Sequence, residues 1–293
     1  MKMRKFLIVC ISVLCAAPTI VGQEGTKDHS ELFPKAGDYS LGLDMGNVIK
    51  FIGNSFSSAG TANFPANSIV EPSITAVAVS PTIYGRYFLT DNMATRVRLG
   101  VGVNNTTSRA FVYDDVANID NPLNDDVLTY EKTVDELKSR NNQYELGIGL
   151  ELRKNLWRMQ GYAGAEVLGA YIHERSFSTY GNAISSTNHT PTTYDFVNAT
   201  TATPTHRDLD TKGGNTFHFG GGLYAGADFF ITRNISIGAE FNLFIFGTRS
   251  TEKIGTVETY KLDQVYVGEN KITPITGGFA TRSLGTFNIS VYF

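Results

Sequence analysis

The sequence predicts an all-β fold, an eight-stranded antiparallel up-and-down transmembrane β-barrel with short periplasmic turns and long extracellular loops. Three observations carry that expectation. Stretches of about ten residues alternate between apolar side chains and polar or glycine ones, as strands with one greasy face do. The connections between them alternate long and short along the chain, which a soluble sandwich has no reason to do. After the N-terminus no apolar run approaches the roughly 20 residues of a membrane helix, so any crossing must be made by strands.

Residues 1–22 read as a secretory signal: Lys2, Arg4 and Lys5 precede the apolar run Phe6 to Ala17, and small residues lead on to Gly22. Both cysteines, Cys10 and Cys15, fall inside it, so the mature chain is expected to have no disulfide or thiol chemistry. Without those three cations, 22 basic side chains of the original 25 face 28 acidic ones, a net of about −6 that offers nothing to a nucleic acid. Residues 23–36 form a short polar periplasmic lead-in, and residues 37–293 the barrel.

The first strand spans Asp38 to Gly46, with Tyr39, Leu41, Leu43 and Met45 on one face and Ser40, Gly42, Asp44 and Gly46 on the other. A loop rich in Ser, Asn, Ala and Gly runs from Asn47 to about Pro72. The second strand, about Ala76 to Leu89, turns Ile83, Tyr87 and Leu89 outward and Tyr84, Arg86 and Phe88 inward; Pro81 is tolerable there only near an end or a bulge. The third, Met93 to Val103, sets Thr95, Val97, Leu99, Val101 and Val103 against Arg96, Arg98, Gly100 and Gly102. Two arginines behind a valine ladder are costly unless their face is wet or paired. A long acidic loop, Asn104 to Asn142, leads to the fourth strand, Gln143 to Leu152, which carries Glu145 and Glu151 on its polar face.

The fifth strand, about Met159 to Ile172, is the least regular and needs a one-residue bulge near Trp157 to keep Glu166 on the polar side. A Ser, Thr, Asn and Pro loop from His173 to about Gly214 follows. The sixth and seventh strands, about Phe217 to Ile231 and Ile235 to Phe246, place Asp228 and Glu240 opposite an apolar face. After a last loop to about Thr281, Phe287, Ile289, Val291 and Phe293 of the eighth strand alternate with Thr286, Asn288, Ser290 and Tyr292.

The three short connections, FLTDNMA at 88–94, ELRKNLW at 151–157 and FITRNIS at 230–236, look alike. Each puts an asparagine (Asn92, Asn155, Asn234) third in a three-residue turn, where a left-handed backbone suits it. Aromatic residues gather at both ends as interfacial girdles would: Tyr87, Trp157, Phe229 and Phe293 near the short turns, Tyr144, Tyr171, Phe219 and Phe246 near the far rim.

The segments SPTIYGRYFLTDNMATRVRLGVGV (80–103), GADFFITRNISIGAEFNLFIFG (226–247) and the terminal SVYF resemble the small OmpA/OmpX/opacity-type outer-membrane barrel family, with the likeness covering Asp38 to Phe293. The resemblance implies an eight-stranded closed barrel in the outer membrane, insertion by the outer-membrane assembly machinery, and Phe293 as part of the insertion signal. At Asn288 some members carry glycine. No peptidoglycan-binding domain is carried over.

With the apolar faces toward lipid, the lumen receives Asp44, Arg86, Arg96, Arg98, Glu145, Glu151, Glu166, Asp228 and Glu240 between glycines. Both signs are present, so they can pair, and eight strands leave a bore just wide enough for side chains. A turn at Thr90 to Asn92 sets Arg86 across from Arg96, an unfavourable pair that calls for an acid such as Glu145 or Glu151 between them. This network either holds the barrel shut or gates a narrow pore.

Three function classes follow from this layout. The first is a non-enzymatic envelope-structural or surface-interaction protein acting through long outer loops; the second is a porin-like channel for ions or small solutes; the third is a lipid A-modifying enzyme using the cluster His173, Glu174 and Ser176. No catalytic residue, cofactor or metal site is assigned. His189, His206 and His218 lack ligand spacing, and Asp114, Asp115, Asp120, Asp125 and Asp126 lack the order of a calcium loop. The expected partners are outer-membrane lipid or lipopolysaccharide, the assembly machinery, and an extracellular or envelope protein met by the loops.

Overall fold

The computed structural model describes residues 30–45, 82–118 and 130–293. The expected signal segment, the loop from Asn47 to Pro72, the start of the second strand at Ala76 and the acidic residues Asp120, Asp125 and Asp126 lie outside them. Thirteen strands are present among the described residues: β1 Tyr39–Asp44, β2 Thr82–Thr90, β3 Met93–Tyr113, β4 Lys132–Leu156, β5 Met159–Thr179, β6 Thr193–Asp195, β7 Thr200–Ala202, β8 His206–Gly213, β9 Thr216–Thr232, β10 Ile235–Ser250, β11 Lys253–Lys261, β12 Gln264–Thr273 and β13 Thr276–Tyr292.

Eight of them close a ring. Antiparallel pairing runs β1, β2, β3, β4, β5, β9, β10, β13 and back to β1. The ring is staggered: stepping across partners from Tyr39 leads through Tyr87, Thr95, Leu150, Ala165, Leu223 and Leu243 to Ser283. Yet the β13 residue that exchanges backbone hydrogen bonds with Tyr39 is Phe293, ten residues further on. That offset is what tilted strands of a closed barrel require. Alternation follows the ring, with Ile148, Leu150, Leu223, Ile237 and Phe241 exposed outside and Tyr84, Arg96, Glu151, Asp228 and Asn288 buried inside. Aromatic pairs bracket the outer apolar belt, Tyr39 with Phe293 (5.2 Å) and Trp157 with Phe229 (6.4 Å) at the short-turn end, Tyr144 with Tyr171 (6.5 Å) and Tyr171 with Phe217 (4.8 Å) at the other. Phe246 does not join them. It points inward and is 5 % exposed.

Much of what the sequence suggests to be loop is strand. β3 and β4 pair without a break from Met93 with Leu152 up to Tyr113 with Lys132, so most of the acidic connection is a hairpin rising above the rim. β8 runs straight into β9 and β11 out of β10, while β12 leads down into β13; β5 exchanges β9 for β8 between Ile172 and Arg175. The β8–β9 junction turns on Gly213 and Gly214 (φ +85° and +68°), a backbone that other residues avoid. The result is a curved sheet of β3, β4, β5, β8, β11 and β12 standing over the barrel.

The turns also differ from expectation. None of Asn92, Asn155 and Asn234 is left-handed. In the two FxTxNxx turns the threonine does the work: Thr90 and Thr232 hydroxyls accept from the backbone N–H of Asn92 and Asn234, both at 3.3 Å. The third turn sits three residues later than its likeness to the others places it, at Trp157 (φ 55°) and Arg158, between the paired Leu156 and Met159. β4 and β5 then pair continuously to Glu136 with Thr179, so the bulge expected near Trp157 is absent and Glu166 faces inward by simple alternation.

Candidate functional site

The lumen is stratified. At its floor, the short-turn end, lies an apolar cluster of Phe88, Ala94, Phe230 and Tyr292, joined by Phe33 from the lead-in, which sits edge-on to Phe230 at 5.3 Å. The segment that carries Phe33 is tied down: Ala36 N–H donates to Asp91 (2.9 Å) and Gly37 N–H to the Phe88 carbonyl (2.8 Å). A lone phenylalanine in a polar stretch has no periodicity, so nothing in the sequence marks it.

Above the floor come three tiers of charge. In the lowest, Arg153 bonds Glu151 (2.7 Å), Asp228 (3.0 Å) and Gln160, and the Tyr292 hydroxyl donates to Asp228 (3.1 Å). Arg86 lies 3.4 Å from Glu151 and donates to the Ser290 hydroxyl at 3.2 Å. In the middle tier Arg96 grips both oxygens of Glu240 (2.6 and 2.9 Å), lies 3.4 Å from Glu166, and stacks between Tyr224 (4.0 Å) and Tyr84 (4.5 Å). The Tyr162 hydroxyl donates to Glu240 at 3.0 Å. In the upper tier Arg98 bonds Glu166 (2.6 Å) and lies 2.9 Å from Glu145 as an ion pair. Arg86 and Arg96 do face each other across β2 and β3, and each is turned to a different carboxylate.

Two tyrosines reach across the bore because their neighbours lack side chains. Tyr162 is paired with Gly226 and Tyr224 with Gly164, and a Cβ on either glycine would meet the facing ring at 2.6 Å. Past the charged tiers the lumen turns apolar, with Leu168, Phe244, Phe246 and Ala280 in contact.

Of the residues singled out from the sequence, Arg86, Arg96, Arg98, Glu145, Glu151, Glu166, Asp228 and Glu240 share this network. Asp44 is partly buried at the top of β1, paired with Asn288 in β13. Phe293 is exposed beside Tyr39. Sequence reasoning missed Arg153, because ending the fourth strand at Leu152 puts it in a turn; carrying the alternation one step further places it inside. Four buried guanidiniums thus face five carboxylates, an arrangement whose loss of a single partner is far more costly than its net worth.

The other candidates are not assembled. His173 and Glu174 are consecutive on β5 and face opposite sides, and His173 is bonded to Asn215 at 2.7 Å, so no Ser–His–acid triad forms with Ser176. Asp114 and Asp115 are spent on backbone N–H groups of Val116, Ala117 and Thr192. Among the described residues no group of three or more His, Cys, Asp or Glu is placed to hold a metal ion.

A closed eight-stranded ring, greasy outside and ionic within, defines an integral β-barrel of the outer membrane. Residues 73–253, well over half of the chain, match the family model described as the "Putative OmpA-OmpF-like porin family", and the protein belongs to that family. Among solved structures it is similar to the outer membrane protein OprG from Pseudomonas aeruginosa (8% identity, 89% of this chain and 98% of that one, TM-score 0.34). It is likewise similar to the outer membrane protein AlkL (10% identity, 94% and 97%, TM-score 0.32). No curated protein matches the sequence.

Proposed function

We propose that this barrel is a sealed, non-enzymatic envelope protein whose working surface is the sheet and loops above the membrane. The observation that carries this reading is the middle tier. Arg96 is fully buried, fixed by two carboxylates and stacked between two tyrosines, which leaves the bore occupied by groups that cannot leave without stranding a charge. Phe33 adds a second stopper at the floor. In this reading Phe293 serves as the insertion signal and the surface sheet meets a partner. The test is conductance in planar bilayers: the purified protein is expected to show no steady single-channel current, and a stable current would overturn the sealed reading.

A narrow channel is the second reading, supported by the family's description as porins. It also draws on Arg96 lying within 3.4 Å of Glu166 while bonded to Glu240, two alternative partners within one side-chain reorientation. In that case currents appear as brief openings in the wild type, and Arg96→Ala lengthens them.

A further inference from the structure

Above the upper aromatic row the outward face turns basic on one side. The paired row Tyr144, Tyr171 and Phe217 on β4, β5 and β9 ends at Arg249 on β10. Two outward positions higher, Arg140, Arg175 and Lys212 stand in directly paired register on β4, β5 and β8. Like charges opposite one another destabilise a sheet unless counter-charge is supplied. Two of the three receive it from the protein itself, Arg175 from both oxygens of Asp210 (3.0 and 2.7 Å) and Lys212 from Glu269 (2.8 Å). Arg140 and Arg249 are exposed and bond no carboxylate among the described residues.

We propose that Arg140 and Arg249 bind the phosphorylated headgroup of an outer-leaflet glycolipid of the lipopolysaccharide type, seated on the ledge of Tyr144, Tyr171 and Phe217. The aromatic row marks the level where hydrocarbon gives way to headgroups, so the medium touching this face is lipid and not a dissolved ligand. Guanidinium forks match phosphate oxygens in geometry as well as charge. Below the row, exposed Leu99, Leu146 and Phe219 offer the acyl chains an apolar wall. The inference rests on the long-connection end of the barrel facing outward.

The test is a titration of the intact barrel in detergent micelles, read by native mass spectrometry, with phosphorylated lipid A, the same glycolipid stripped of phosphate, and inorganic phosphate. Lipid A should bind the wild type. Arg140→Gln with Arg249→Gln should bind it about 25-fold more weakly, roughly fivefold per removed charge. Lys154→Gln, an outward cation at the other rim, should change nothing. The charge-keeping pair Arg140→Lys and Arg249→Lys should restore most of the binding, separating charge from folding. Equal affinity of the Gln double variant and the wild type, or equal binding of the phosphate-free glycolipid or of inorganic phosphate, would overturn the site. Orientation is tested apart: protease added to intact cells should cut the exposed Leu262–Asp263 tip of the β11–β12 hairpin, and protection there would sink the orientation and leave the micelle result standing.

Discussion

Between Tyr144 and Leu152, β4 shows Tyr, Leu, Ile, Leu and Leu outward and Glu, Gly, Gly and Glu inward; between Lys132 and Asn142 it shows Lys, Val, Glu, Lys, Arg and Asn outward and Thr, Asp, Leu, Ser and Asn inward. The backbone ladder to β5 runs through both halves without a shift. The two halves therefore share hydrogen bonds and differ in solvent. Hydrocarbon dictates a side-chain period on the lower half, whereas water on the upper half tolerates almost any sequence that can pair. Ion pairs divide in much the same way: those in the lower lumen are enclosed, while Arg109 with Glu136, Arg175 with Asp210 and Lys212 with Glu269 of the upper sheet stand in water, and Arg207 with Glu258 is the buried exception there.

The largest difference between the halves should come from charge. Arg96→Ala strands Glu240 in the bore and leaves Glu166 to Arg98 alone, and is expected to cost about 3–5 kcal/mol, seen as a lower melting temperature of the heat-modifiable gel band. Arg175→Ala in the upper sheet should cost about 1 kcal/mol or less. Equal losses at the two sites would erase the distinction. Next, Ile148→Arg on the lipid face should cost roughly 2–4 kcal/mol in denaturant unfolding from liposomes, whereas Val134→Arg on the same face of the same strand should fall within about 0.5 kcal/mol of wild type. Phe33→Ala should cost about 2 kcal/mol, less than a fully enclosed phenylalanine because it sits at a mouth, and should raise the accessibility of Phe230 and Tyr292 to periplasmic-side quenchers.

The smallest effect concerns pH. Hydrogen bonds from Arg175 hold the Asp210 carboxyl below its ordinary 3.8, and those from Lys138 and Arg109 hold Glu136 below 4.5. Because both values are depressed, the stabilisation is complete above the unfolded values and is lost as pH falls through the folded ones. The carboxyl resonance of Asp210 should therefore titrate with a midpoint below 3.8 in the wild type and return toward it in Arg175→Gln. An unshifted midpoint in the wild type would count against the pair.

What the sequence disclosed tracks this division. Every inward charge of the lumen network except Arg153 was legible, because its outward neighbours had to be apolar. The stretches NNTTSRAFVY and KTVDELKSRNN read as loop since Asn, Thr and Ser are turn-prone and no buried face enforces alternation. Arg153 was hidden by a turn set three residues early, a mistake born of the likeness among ELRKNLW, FLTDNMA and FITRNIS; the first lacks the threonine that makes the other two turns. Tyr162 and Tyr224 are found only through the glycines they cover, which one strand's pattern does not reveal.

Phe33 has one more consequence. Its neighbours come from β2, β3, β9 and β13, and the last of these reaches β2 and β3 only when the end of the chain has met its beginning. The lead-in can thus latch only onto a finished cylinder, so its docking is a record of completed assembly, set after every strand is in place and undone first when the seam between β1 and β13 parts.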